Sequence, residues 1–461
     1  MSIILIKLFG FWGTCKYFSF HKINKAYTFL LSSLFVNSNW FALHFSEGHV
    51  VFRTFFLIPL VFYYFENLIS RKNLLILGAL LLFLILDGGF YPLIFSFVYF
   101  LIKIFLDKAN RDQLFYFVKQ NFSFFFLSIA GFSLVSLVKI FPVILNSENL
   151  KDIQETINLN SEVYLEMFFN PFKNNEVIIF DYLRFHEFGS YIGFSLIFLF
   201  IFQSIKNYNQ VKNLIHLLLI MIIFFWIGTG MFGNFNPYQI ISKIPIIKKA
   251  HVQSRYLILF LLFFILFLGK LLTHSKASLI TLILLLVANV EFIISNQFAF
   301  NPNMPNYDLQ MITRNKWTRT DFLVHKPSIY YTEGLISKIC YEPAQTFTET
   351  LHSQQPSYQG EFMSLKGQIF LSAVTLTPGE INFNYSSPKG GDLVLNTHFL
   401  DGWIETNLNA KTFEINKLLA VKLPAGEGNV RLQFFPFYYN YIFFFAIVGL
   451  FLIIYLMRKK L

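Results

Sequence analysis

Over its first three hundred positions the chain alternates long apolar runs with short polar connections. It turns polar between 297 and 437 and closes on one more apolar run. An apolar stretch of about 17–25 residues is long enough to cross a bilayer as a helix. Such stretches lie at 2–19, 27–45, 50–69, 73–87, 89–106, 121–144, 188–204, 213–231, 255–273, 277–295 and 438–457, so the pattern predicts about eleven crossings. Lys7 and Lys16 dilute the first run. Asp87-Gly88-Gly89 separates the short fourth and fifth runs, which together also suit a re-entrant hairpin. The expected fold is a polytopic α-helical membrane protein: a multi-span body at 1–296, a β-rich domain at 297–437, and a last helix with a basic tail at 438–461.

The polar region has a different period. GQIFLSAVTL, EINFNYSS, DLVLNTHF, WIETNL, LLAVKL and NVRLQFF are short β-branched or aromatic runs with partial alternation. Turn formers at Pro378-Gly379, Pro388 to Gly391, Asp401-Gly402 and Pro424 to Gly428 split them. A β-sandwich of jelly-roll or immunoglobulin-like type is predicted.

Composition agrees with lipid as the solvent. The chain is 55% hydrophobic and 14% charged, with 62 Phe, against roughly 45–50% and about 25% in soluble domains. The net charge of +11 is dispersed between apolar runs and forms no stripe, so it reads as topology and not as nucleic-acid binding. Lys22 and Lys25, Arg71 and Lys72, Lys108 and Arg111, Lys206 and Lys212, Lys270 and Lys276, and Arg458 to Lys460 fall on alternate connections. The positive-inside rule assigns these to the cytoplasm, which places the C-terminus inside and 145–187, 232–254 and 297–437 outside. Met1 also falls outside, an arrangement that predicts a missing upstream segment. Cys15 and Cys340 lie in different environments and predict neither a disulfide framework nor a metal site. The ten His are scattered without metal-ligand spacing, and no Walker A, GxGxxG, HExxH or GxSxG motif is present.

Ionisable groups near the outer helix ends are the candidates for chemistry, because charge at membrane depth is costly and is usually functional or paired. In SEGHVVFR, Glu47 and His49 open a helix, and Arg53 lies at i, i+4 from His49 on the same face. An interfacial cap with Arg53 snorkelling is the alternative. In DGGFYP, Asp87 and Tyr91 flank two glycines that allow a tight turn or the approach of a ligand, although a plain helix break also accounts for them. RFHEFGSYIG places Arg184, His186 and Glu187 before a helix and Tyr191 one turn into it. Glu187 would accept a proton and Arg184 would hold a phosphate, unless the carboxylate only complements the helix dipole. In IPIIKKAHVQSRY, Lys248, Lys249, His251 and Arg255 place positive charge on the outer face, where topology does not explain it. An anionic partner such as a lipid phosphate or pyrophosphate does, as would contact with lipid headgroups. Lys139 and Glu291 are the candidates for depth within the membrane. Trp403 and His398 flank the GW turn, where a sugar-facing Trp competes with one that closes the sandwich core.

Several landmarks occur in a family order: GH at Gly48, PL at Pro59, the GG between the fourth and fifth runs, FP at Pro142, HEFGSYIG, IPIIKKAHVQSRYLILFLLFFILFLG, and the terminal LVLNTHFLDGWIETNLNAKTFEINKLLAVKLPAGEGNVRLQFFP. In that order the chain resembles the YfhO-like bacterial membrane proteins of the GT-C glycosyltransferase class over nearly its whole length. The resemblance implies transfer of a sugar from a polyprenyl-phosphate donor to a cell-envelope glycan or lipid, at the outer face of the bacterial inner membrane. It further implies Arg255, Lys248 and Lys249 at the donor phosphate, and Glu187, Arg184, His49, Tyr191, Arg53 and Asp87 on the cavity wall. No cofactor is required, a divalent cation is compatible, and membrane lipids and envelope proteins are the expected partners. The family's first helix and the outer loop carrying its acidic base have no counterpart here, which leaves the catalytic residue unassigned. A noncatalytic envelope-assembly partner and a transporter or flippase of lipid-linked sugars are the alternatives.

Overall fold

The computed structural model describes residues 3–46, 49–145, 161–170, 172, 178–180, 183–184, 187–230, 236–241, 243, 252–273, 278–300, 319–320, 336–337, 362–377, 379–408 and 410–459. The protein is mostly helical with a C-terminal β-sheet region. Two compact units are present. One comprises Met1–Ile140, Asp152–Met304 and Ala446–Leu461, and the other Phe141–Lys151 and Pro305–Phe445.

Every apolar run contains a helix. The α-helices, including α7, α9, α11 and α13 between the runs, are in chain order α1 Ile3–Phe20, α2 Lys25–Val36, α3 Asn39–Ser46, α4 Ile58–Glu66, α5 Arg71–Leu86, α6 Phe90–Leu106, α7 Lys108–Gln120, α8 Phe122–Leu145, α9 Ser161–Phe169, α10 Phe194–Lys206, α11 Tyr208–Asn213, α12 Ile215–Thr229, α13 Pro237–Ile241, α14 Leu257–Thr273, α15 Leu279–Phe300 and α16 Tyr438–Arg458. Among the described residues, five spans are long and apolar enough to cross a membrane: Ile3–Phe20, Phe122–Pro142, Gln253–Thr273, Leu279–Ala299 and Tyr438–Arg458. A sixth is counted if α6 and α7, bent by 105°, act as one. The chain is thus a membrane-associated protein by its helices.

Several expected spans are shorter or broken, for local reasons. The run at 27–45 divides at Asn37, whose N–H returns to Ser33 O before α3 begins. Asn296 Nδ2 donates to Asn37 O at 2.9 Å, and Asn39 Nδ2 donates to Ser295 O at 3.1 Å. Amides therefore fasten this break to α15 and give partners to backbone carbonyls near the interrupted helix. The run at 50–69 opens as a 3-10 helix, Val50–Leu57, before α4. Pro59 has no N–H to return to Phe55 O, and β-branched Val50, Val51 and Thr54 weaken α-helical winding. At the α5–α6 hairpin, a Cβ on Gly89 would stand 2.6 Å from Thr54 Oγ1 and 3.0 Å from Leu84 O, so glycine lets the turn pack on the 3-10 helix. A second close approach joins α8 to α16, where a Cβ on Gly449 would lie 2.7 Å from Gly131 O.

The strands are β1 Ile178–Phe180, β2 Leu183–Arg184, β3 Arg319–Thr320, β4 Ile336–Ser337, β5 Phe362–Lys366, β6 Phe370–Thr377, β7 Glu380–Ser387, β8 Gly391–His398, β9 Trp403–Glu405, β10 Thr412–Ile415, β11 Leu418–Leu423 and β12 Gly426–Phe434. The last eight form two four-stranded sheets, β10-β11-β8-β5 and β6-β7-β12-β9. Alternation aims Ile381, Phe383 and Tyr385 of β7, Leu393 and Leu395 of β8, Leu419 and Val421 of β11, and Val430 and Leu432 of β12 into one shared core. Trp403 is half-buried at its margin, 5.5 Å from the Phe434 ring. Strands β5 and β10 were not legible as separate runs in the sequence.

Candidate functional site

Four of the residues singled out in the sequence meet within the helical unit: His49, Tyr91 and Arg255 surround the ring of Phe52, and Glu187 joins them through Arg255. The Phe52 and Tyr91 rings sit edge to face, 5.5 Å apart. The Arg255 guanidinium lies over both, 4.5 Å from the Tyr91 centroid and 5.0 Å from that of Phe52. Glu187 clamps the same guanidinium from the side: Nε donates to Oε2 at 2.9 Å and Nη2 to Oε1 at 2.7 Å. Arg255 is 2% exposed and Glu187 1%, so this bidentate pair is held away from water. Ser254 Oγ donates to the Glu187 carbonyl and fixes the loop that carries the carboxylate.

Arg53, the neighbour of Phe52, makes a second fork, with Nε to Asp87 Oδ2 at 3.0 Å and Nη2 to Oδ1 at 2.7 Å. Asp87 ends α5, and the glycines that follow hold it against the 3-10 helix. This winding also corrects the expected alignment of His49 with Arg53. At three residues per turn, i and i+4 diverge by roughly 120° while i and i+3 eclipse. His49 accordingly meets Phe52, ring to ring at 5.1 Å, and its Nδ1 stands 3.0 Å from that of His44. Arg53 turns away to Asp87.

Tyr191 goes elsewhere. With Glu291, Phe169 and Phe194 it lines a mostly apolar hollow of about 550 Å³. Glu291 accepts from Ser195 Oγ at 2.8 Å and from Ser195 N at 3.4 Å, at the start of α10, while Lys139 is exposed on α8. Lys248, Lys249, His251, His186 and Glu47 lie outside the described residues, as does Cys340. Arg184 and His398 are placed in strands, β2 and β8. Among the described residues, no group of three or more His, Cys, Asp or Glu is arranged to hold a metal ion.

The sequence reading passed over a second buried network. Glu66, ending α4, accepts from Tyr17 Oη and Tyr99 Oη at 2.6 Å each and pairs with Lys103 Nζ at 2.8 Å. His21 Nε2 stands 3.6 Å away. Its signal was present in YYFEN and FLIKIFL, ionisable residues inside apolar runs. The two networks lie at opposite ends of a shared helix. At a rise of about 1.5 Å per residue, Tyr91 to Lys103 on α6 covers roughly 18 Å. Between them runs a column of rings: Phe95 stacks on Tyr256 at 3.8 Å, Phe224 follows at 6.4 Å, Phe263 at 5.7 Å, and Tyr99 at 5.1 Å.

The fold and site thus define a multi-helix, membrane-associated protein with two internally neutralised charge networks joined by an aromatic core. No protein-family model, no curated protein and no solved structure matches the chain.

Proposed function

We propose that this protein is a GT-C-type, glycosyltransferase-like protein of the bacterial inner membrane. In this reading it crosses the bilayer about eleven times, with its C-terminus in the cytoplasm and a β-sandwich domain outside. It takes a sugar from a polyprenyl-phosphate donor and passes it to an envelope glycan or lipid. The supporting observation is the Arg255 guanidinium, clamped by Glu187 over the rings of Phe52 and Tyr91, with the Arg53–Asp87 fork beginning at the residue after Phe52. Aromatic faces beside fixed charges suit the junction of a lipid chain, a phosphate and a sugar. Arg53 and Asp87 retain side-chain exposures of 22% and 15%, so this pair is the accessible one. Lys248 and Lys249, a few positions before Arg255 in the chain, are the residues this reading assigns to the donor phosphate.

The test uses a photoreactive polyprenyl-phosphate-sugar and the full chain in lipid nanodiscs. Saturable labelling that maps to peptides containing Phe52 or Tyr91, and that falls in the Lys248→Gln/Lys249→Gln double variant, supports the reading. Labelling that is not competed by unlabelled donor refutes it. A noncatalytic assembly partner is the second reading, and one observation favours it: both guanidinium groups are already matched by carboxylates inside the protein. Specific donor labelling without turnover, together with co-purification of an envelope enzyme, would select that role.

A further inference from the structure

The sheet β6-β7-β12-β9 turns its apolar side chains into the shared core, and its other face carries almost none. Strand register arranges that face in rows. Phe370, Ser386 and Glu427 form one row, Ser372, Asn384 and Asn429 the next, and Thr375, Asn382 and Arg431 the third. The opposite sheet differs, since its second face gathers Val394, Leu418 and Ala420 into an apolar cluster. Polarity is thus a property of one face and not of the whole domain.

Asn429 organises the rows. Its Nδ2 donates to Asn382 Oδ1 at 2.8 Å and to Asn384 Oδ1 at 2.9 Å, while its Oδ1 accepts from Asn407 Nδ2 at 2.7 Å. With both carbonyl oxygens taken, the Asn382 and Asn384 amides are oriented before any ligand arrives. Arg431 is held by Glu380, with Nε to Oε1 at 2.8 Å and Nη2 to Oε2 at 3.0 Å, so the only guanidinium of the three rows is neutralised. Beside the amides is a hollow of about 440 Å³, within the size of ordinary ligand sites. On the core side of the sheet, a Cβ on Gly428 would stand 2.9 Å from Tyr385 Cε1, so glycine lets β12 pack on that ring. The Phe370 ring at the rim of the hollow is 64% exposed.

We propose that this face binds a neutral oligosaccharide. Vicinal hydroxyls are each donor and acceptor, and they match a surface of fixed amides, hydroxyls and one carboxylate. The C–H face of a sugar ring covers an exposed aromatic ring such as Phe370. Phosphate-bearing polymers are opposed by Glu427 and find no unneutralised guanidinium. A protein interface would require more apolar area than Phe370 and Ile404, the exposed apolar side chains of this face, provide. The inference stands independently of the transferase reading, because binding needs no donor and no turnover.

The experiment is titration of the full chain in lipid nanodiscs with cellohexaose, chitohexaose, maltohexaose and mannohexaose, with a sulfated hexasaccharide as the anionic comparison. At least one neutral hexaose should bind saturably. Phe370→Ala and Asn384→Ala, both on exposed side chains, should each weaken it about tenfold or more, and Lys366→Ala on the other sheet should not. Circular dichroism confirms that the variants fold. The proposal is overturned by absence of binding to all four neutral probes, by preference for the sulfated one, or by wild-type affinity in folded Phe370→Ala and Asn384→Ala.

Discussion

Arg255 and Glu187 offer the sharpest test of how the helical unit is held. Both are essentially excluded from solvent and joined by two hydrogen bonds, at 2.7 and 2.9 Å. Removing one partner strands the other charge in a desolvated site, at a cost of about 3–5 kcal/mol. Removing both, as in Arg255→Met/Glu187→Leu, substitutes apolar contacts of similar volume and should cost close to nothing, within about 1 kcal/mol. The double-mutant cycle is then strongly non-additive, with a coupling of about 3 kcal/mol or more. Arg53→Met should cost less, about 1–2 kcal/mol, because its fork to Asp87 remains partly hydrated. Equilibrium unfolding in mixed micelles, followed by intrinsic fluorescence, measures all four variants. Additive losses at Arg255 and Glu187, or an Arg53→Met loss equal to that of Arg255→Met, would refute the claim that the pair is dry. The folded double variant also separates roles. Donor labelling that survives in it assigns the pair to architecture, and labelling lost from an intact fold assigns it to binding.

Three further outcomes are expected. Glu66→Ala removes the shared acceptor of Tyr17 and Tyr99 and leaves Lys103 only its 3.2 Å pair with Asp107, so it should destabilise the helical unit by about 2–3 kcal/mol, whereas Lys16→Ala, at a partly exposed contact with Tyr64, should cost under about 1 kcal/mol in the same unfolding assay. Gly449→Leu should part α16 from α8 and cost about 1–3 kcal/mol, read as faster proteolysis at the C-terminal end and earlier thermal unfolding. In the β region, hydrogen bonding from Arg431 holds the Glu380 carboxyl below the usual carboxylate range. A carboxyl lowered in the folded state stabilises above its unfolded value, about 4.3, and loses that contribution as pH falls through the folded value. The difference between the wild type and Glu380→Gln should therefore be present at neutral pH and vanish on acidification. It should also shrink in high salt, since the pair is exposed.

Apolar run length located the helices long and apolar enough to span a membrane, because hydrophobic stretches are local properties, but not the polar α7. It did not reveal winding: the 3-10 turn at Val50–Leu57 depends on Pro59 and on packing against Gly89, and this rotated His49 away from Arg53. The candidate residues were visible one by one as ionisable groups near helix ends. Their pairing was not, since Glu187 and Arg255 are 68 positions apart and Arg53 and Asp87 are 34 apart. Glu66 and Lys103 were missed because each was absorbed into an apolar run as a tolerated exception, although two opposite exceptions in neighbouring spans suggest a pair. In the β region, β7 and β12 were plain from alternation, while β5 and β10 show too few alternating positions to stand apart from their turns.

The shortness of the helices around the aromatic column bears on the lipid itself. Helices α10, α12, α5 and α6 have 13, 15, 16 and 17 residues, or about 20–26 Å at 1.5 Å per residue. A typical hydrocarbon layer is about 30 Å thick. Beside these helices stand spans of 21 residues, about 31 Å long, so lipid would thin only around the short helices, at a small elastic cost. Acyl-chain length then becomes a local variable of the protein, felt by the lipids that border the short helices more than by those along the 21-residue spans.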